Sequence, residues 1–180
     1  MDAASFNLQA QGRAMNHARQ PGLSLIELLA CIALLSIFAG VGLPAFGQWI
    51  ERTRLDTLRD LLYAHLQDAR LTSVLRNREI EVCGSADGST CDEQWNHGWL
   101  VRYADSDQTI AQYRMETPLG LAWQGFTPRL RFQRNGTLTG NGRFTLCDAK
   151  GREGRALVLN RQGRVRPERL SGEDLEASCH

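Results

Sequence analysis

The chain has 180 residues, 42% of them apolar, and its 21 basic side chains nearly balance 20 acidic ones for a formal net charge of +1. That length holds one membrane helix and one modest globular head, and it excludes a multidomain enzyme. The near-neutral total conceals an acidic stretch followed by a basic one.

Residues 1–22 are polar, with Arg13, His17 and Arg19 ahead of an apolar run. The positive-inside bias therefore places the amino-terminal side in the cytoplasm and the rest of the chain outside it. Met15 offers an alternative start with a shorter leader. An ordinary secretory signal ends in a small-residue cleavage site after its apolar core; here Gly22 precedes the core instead.

Residues 28–46 carry no charge. At about 1.5 Å of rise per residue a helix over them just crosses a hydrocarbon core, so residues 23–46 are predicted to span a membrane. Glu27 stands at the start of that run, where burial in lipid costs roughly 2.5 kcal/mol or more, and an acid so placed needs a partner. Its position alone leaves open that it rests at the interface. Gly40, Gly42 and Pro44 interrupt the apolar run, and Pro44 predicts a kink or local unwinding, because proline removes a backbone hydrogen bond and clashes with the preceding turn. Trp49 suits the membrane interface.

The segment Gly22-Leu23-Ser24-Leu25-Ile26-Glu27-Leu28-Leu29 resembles the class III signal of type IV pilins and type II secretion pseudopilins, Gly followed by Phe-Thr-Leu-Ile-Glu, with Leu23 and Ser24 replacing the commoner Phe and Thr. The resemblance implies cleavage after Gly22 by a prepilin peptidase and methylation of the new amino terminus at Leu23. It also implies a single-pass inner-membrane protein with a periplasmic head, which moves into a filament of other pilins or pseudopilins. Glu27 becomes the fifth mature residue, and Pro44 takes a position the family shares. A physical argument runs alongside. An amine at Leu23 and a carboxylate at Glu27 cannot both stay unpaired in lipid, and a staggered neighbour's amine can meet the acid.

From residue 51 to residue 78 there is neither Gly nor Pro, and Leu55, Leu58, Leu62, Leu66 and Ala69 recur at helical spacing. This predicts an amphipathic helix over 47–78, continuous with the membrane part and roughly 80 Å long in all. Arg52 with Asp56, and Asp56 with Arg59, read as helix-surface pairs worth a few tenths of a kcal/mol.

Beyond residue 78 the pattern turns to short extended segments at 79–83, 99–103, 110–115, 130–132, 143–147 and 156–160, with Asn135-Gly136 and Asn141-Gly142 as turn signals. With no second helical pattern, residues 79–180 are expected to form an antiparallel, β-rich head packed on the helix, an α+β fold. Five cysteines stand at 31, 83, 91, 147 and 179. Cys31 falls in the membrane helix as a free small hydrophobe. The other four lie in an oxidising compartment and allow three connectivities. Cys83 with Cys91 closes a small Gly/Ser-rich loop and Cys147 with Cys179 ties down the terminus, which favours that pairing. A zinc reading through Cys83, Cys91 and His97 lacks a close-spaced ligand pair.

The order of segments in the head, ending in Gly163-Arg164-Val165-Arg166, resembles the carboxy-terminal half of the GspH/FimT group of minor pilins and pseudopilins. That resemblance implies a type IV pilin-like fold. No enzyme constellation stands out: His17, His65, His97 and His180 are isolated, and there is no Gly-x-Ser-x-Gly, Walker loop or His-Glu-x-x-His. Neither catalysis nor a cofactor or metal is expected. Trp95 and Trp99 flank His97-Gly98, where packing is favoured over a ligand pocket.

Residues 79–128 hold two Arg against eight acids, a balance of −6, whereas residues 129–169 hold ten Arg and one Lys against three acids, a balance of +8. Arginine's planar fork suits phosphate, and a cluster of them binds nucleic acid through counterion release. Against that, Arg outnumbers Lys throughout, and exposed strands often carry basic residues. If Gly163-Arg164-Val165-Arg166 is extended, Arg164 and Arg166 share one face about 7 Å apart, near the spacing of successive phosphates. The segment resembles the Gly-Arg-x-Arg motif of DNA-binding FimT proteins, which act in natural transformation. By that resemblance Arg164 and Arg166 carry double-stranded DNA, with Arg161 and Arg169 assisting. Pro167 is expected to stop the strand, and Glu173, Asp174 and Glu176 to compete with phosphate unless Cys179 turns the tail away. The leading expectation is a minor type IV pilin that supports pilus biogenesis and binds extracellular DNA. The alternative is a GspH-type pseudopilin of a type II secretion system without DNA binding.

Overall fold

The computed structural model describes residues 22, 24–106, 108–116 and 120–179, with residues 41–45 as helical backbone only. A helix of 51 residues, α1 (Leu25–Leu75), opens the fold. The chain divides into two compact units, residues 1–43 and 44–180.

In the first unit the side chains at 25–40 are exposed, including Leu25, Ile26, Leu35 and Phe38. The one polar hydroxyl in this run turns back on the helix, Ser36 Oγ donating to the Ile32 carbonyl at 2.8 Å. Among the described residues no helix is long and apolar enough to cross a membrane. Leu23 and the side chains at 41–45, part of the predicted span, lie outside the described residues. Helical backbone continues through Pro44, where the sequence predicts a break. A proline removes one hydrogen bond from the ladder, and α1 is long enough to carry that loss without ending.

The second unit is built on α1's predicted stripe. Leu55, Leu58, Leu62, Leu66 and Ala69 are all buried, each large apolar side chain contributing roughly 1.5–3 kcal/mol. The strands are β1 (Ile80–Gly84), β2 (Gly98–Tyr103), β3 (Thr109–Arg114), β4 (Gly120–Gly125), β5 (Leu130–Phe132), β6 (Gly142–Cys147), β7 (Gly154–Leu159) and β8 (Val165–Leu170), followed by α2 (Glu173–Cys179). They form two four-stranded sheets, β3-β2-β1-β5 and β4-β6-β7-β8, and every pairing between neighbouring strands is antiparallel. Ile80, Val82, Trp99, Val101 and Phe132 from the first sheet join Phe144, Leu146, Leu157, Leu159 and Val165 from the second in one core with the helix stripe. Trp95 and Trp99 are core residues. Trp95 stands edge-on to Phe144 at 4.8 Å, and the Trp99 indole N–H donates to His65 Nδ1 at 2.8 Å.

Strand β4 lacks the β-branched signal and is bounded by glycines. It is held by Trp123, which packs on Phe144 at 4.6 Å and donates its indole N–H to the Thr127 carbonyl at 2.7 Å. Glycine is required beside it, because a Cβ on Gly125 or Gly142 would stand 2.1 or 2.2 Å from the indole ring. Helix α2 was expected only as an acidic tail.

Two expectations near the motif need correction. Gly163 has φ +74° and closes a turn by donating to the Asn160 carbonyl at 2.9 Å, so Arg164 precedes the strand. Pro167 does not stop β8; it lies inside it, opposite Leu157. The Asn160 N–H donates to the Arg164 carbonyl at 3.2 Å, which makes Val158 with Arg166 the next hydrogen-bonded pair and turns Pro167's missing donor outward. β8 ends its sheet, so no ladder bond is lost.

Disulfides join Cys83 to Cys91 and Cys147 to Cys179. The second pins α2 to the outer face of β6, where Leu175 occupies the space over Gly154: a Cβ there would stand 2.7 Å from it.

Candidate functional site

At the amino-terminal end Leu28 N–H donates to the Ser24 carbonyl at 3.1 Å, which starts the helix, and Glu27 lies exposed in its first turn. A carboxylate is favoured there by the unsatisfied N–H groups. Gly22 is exposed just ahead, and Cys31 is a free, exposed cysteine.

The far end of α1 meets two turns of the head. Arg70 Nε donates to the Gly136 carbonyl at 3.2 Å. Gly136 and Gly163 both have positive φ, and a Cβ on Gly163 would stand 2.1 Å from that same carbonyl, so the turns touch where neither holds a side chain. One further bond joins them, the Leu138 N–H to the Arg161 carbonyl at 2.9 Å, and the Arg164 N–H donates to Asn160 Oδ1 at 2.9 Å within the second turn. This contact gathers Arg70, Arg134, Arg161 and Arg164 at one end of the head. Arg134, Arg161 and Arg164 are exposed and form no ion pair among the described residues.

Of the four arginines singled out in the sequence, the fold brings Arg161 and Arg164 together. Arg166 lies on the outer face of β8 and pairs with Glu168, which also takes Arg143 at 3.7 Å. Arg169 stands opposite Arg155 on the face that looks to α1, and its charge acts on Asp56. The acidic α2 follows the Leu170 end of β8, about 20 Å of strand from Arg164, so the tail does not cover the turns. Arg70 and Arg134 lie outside the motif. Asn135-Gly136 marks Arg134 as a turn residue, but nothing in the sequence shows that its turn touches the one at Gly163.

Much of the basic excess is consumed internally. Glu81 is buried in β1 and accepts from Arg102 at 2.7 Å and Arg131 at 3.2 Å, with Arg129 at 4.0 Å. Burial pushes its carboxyl up, but the hydrogen bonds from Arg102 and Arg131 outweigh that and hold it below the usual range. Arg155, 2% exposed, donates to Asp56 at 2.7 Å across the helix–sheet boundary. That hydrogen bond holds Asp56 below the ordinary carboxylate range. Cys83 and Cys91 are joined to each other and so are not thiolate ligands. A cleft between residues 47–52 and 148–153 is lined by charges of both signs, with Arg52 paired to Glu153 at 2.9 Å.

The family model described as type II transport protein GspH matches residues 59–163. Among solved structures, the type IV minor pilin FimU of Pseudomonas aeruginosa PAO1 in space group P21 is 25% identical at a TM-score of 0.52, over 67% of this chain and 92% of that one. The same pilin in space group P65 is 27% identical at a TM-score of 0.48, over 63% and 92%. The minor pseudopilin EpsH from the type 2 secretion system of Vibrio cholerae is 12% identical at a TM-score of 0.46, over 64% and 96%. No curated protein matches the chain.

Proposed function

The chain belongs to the GspH family of type II transport proteins, and on that premise we propose that it is a minor pilin carried into a type IV pilus by α1. In this reading prepilin peptidase cuts after Gly22 and methylates Leu23, residues 23–46 hold the subunit in the inner membrane, and the head is periplasmic. The observation that carries it is the unequal burial of one helix. The apolar side chains at 25–38 are exposed, while those at 55–69 are the spine of the head's core. Apolar surface on that scale needs lipid before assembly and other subunits after it. Glu27→Ala is expected to leave the protein in the membrane fraction and remove it from sheared filaments; normal incorporation overturns the reading. The likeness to FimU favours a pilus over a secretion machine. Cells lacking the chain are expected to lose surface pili and to keep normal protein export. The reverse result assigns it to a type II secretion pseudopilus.

A second reading, contact with duplex DNA, is favoured by the exposed Arg134, Arg161 and Arg164, which no carboxylate neutralises among the described residues. Phosphate contacts of this kind weaken steeply with salt. The full chain in detergent is expected to bind duplex DNA, with Arg161→Gln plus Arg164→Gln reducing both the affinity and the salt slope. Binding unchanged in the double variant rejects these residues as the contact.

A further inference from the structure

The loop between β6 and β7 is a tight turn held against the first residues of the second unit. Asp148 N–H donates to the Glu153 carbonyl at 3.0 Å, and Gly151, with φ +65°, donates to the Asp148 carbonyl at 3.0 Å. The largely buried Asp148 carboxylate accepts the N–H groups of Arg152 and Glu153 at 2.6 and 2.9 Å. Glu153 is held by Arg52 at 2.9 Å and by Arg155 at 3.3 Å. Between this loop and residues 47–52 of α1 lies the cleft of mixed charge, about 660 Å³ in volume.

Once those pairs are made, Glu51 on α1 and Lys150 and Arg152 on the loop remain exposed at the cleft, with no ion pair among the described residues. Gln48 stands one turn from Glu51 on the same face of the helix. Lys150 is the chain's only lysine. One free carboxylate beside two cations suits no metal ion. It matches a ligand that carries both signs.

Position narrows the choice of ligand. Gly47 follows directly on the expected membrane segment, and Arg52 lies six residues beyond residue 46, about 9 Å of helix. A bilayer's headgroup layer is about 5–7 Å deep on each side, so connectivity sets the cleft's helical wall beside the phospholipid heads. A primary ammonium there has N–H donors for Glu51 and the Gln48 side-chain carbonyl, and the phosphate accepts from Lys150 and Arg152. An anionic head would leave Glu51 opposed by like charge. The acids of α2, brought to this end by Leu175 over Gly154 and by the Cys147–Cys179 disulfide, offset the cations further.

We propose that this cleft binds the headgroup of a membrane phospholipid that carries a primary amine, with Lys150 and Arg152 on the phosphate and Glu51 on the amine. The proposal rests on the membrane reading and adds a lipid site on the head itself.

The test reconstitutes the full chain into vesicles of phosphatidylcholine and phosphatidylethanolamine in equal amounts and floats them on a density gradient. Floated protein is taken into mild detergent, and its retained lipids are counted by native mass spectrometry. A preference of about tenfold for phosphatidylethanolamine is expected. Glu51→Gln is expected to abolish the preference and still retain phospholipid, whereas Lys150→Gln with Arg152→Gln is expected to cut retention of both lipids. Equal retention of the two lipids by the wild type, or either variant behaving as the wild type does, overturns the site. Stronger retention of phosphatidylglycerol in a matched mixture overturns the choice of a zwitterionic head. Equal binding of soluble glycerophosphoethanolamine overturns the membrane source. Failure to float with the vesicles overturns the membrane reading itself, whereas floating without the preference overturns the lipid site alone.

Discussion

The two portions of α1 are built from the same few residue types and meet opposite fates. Over 25–40 leucine, isoleucine, alanine and phenylalanine lie all round the helix and are exposed; over 55–69 leucine recurs on one stripe and is buried. The count of apolar residues does not separate them. What separates them is whether charged residues occupy the remaining positions, because a stripe can be covered by one sheet and a cylinder cannot. The first portion therefore depends on surroundings outside its own chain, and the second is complete within it.

The largest effect that breaks this comparison is a truncation at one site of each kind. Leu62→Ala is expected to cost the head about 2–5 kcal/mol in a thermal or denaturant melt. Leu35→Ala should leave the same melt within about 0.5 kcal/mol and act on membrane retention or assembly instead. Equal losses at both sites refute the division. Next come the disulfides, which sharpen it by acting on the second portion alone. Cys147→Ser with Cys179→Ser opens a separation of 32 residues, worth about 3.7 kcal/mol by chain entropy. Cys83→Ser with Cys91→Ser opens one of 8, worth about 2.5 kcal/mol. Melting of the two double variants should rank in that order.

The smallest effect is a pH dependence at His65. Burial lowers its pKa, opposed by Asp68, and its Nδ1 accepts the Trp99 hydrogen bond, a role the protonated ring cannot fill. The unfolded state thus binds the proton more readily. His65's contribution is complete above the unfolded value of 6.5 and is lost as pH falls below it. Melts of wild type and His65→Gln between pH 8 and 5 should show a steeper acid loss in the wild type; parallel curves would refute the assignment.

The helix stripe and most strands were legible because period and alternation are local. Strand β4 was not, since its stability comes from Trp123 lying over two glycines and against a phenylalanine from another strand. Helix α2 is short and acidic, and a disulfide and Leu175 decide its place. At the tip, Arg161 and Arg164 could be read from a motif. Arg70 and Arg134 could not, because they join the others through a contact between two turns. The summed charge misled in the same way, since Glu81, Asp56 and Glu168 absorb arginines that a tally counts as free.

Pro167 carries one more consequence. An open sheet margin invites another chain to zip onto it, and two copies of this chain could meet margin to margin. On β8 an approaching strand finds a missing donor at Pro167 and charges at Arg166, Glu168 and Arg169. The β8 margin thus resists the fusion of two sheets edge to edge.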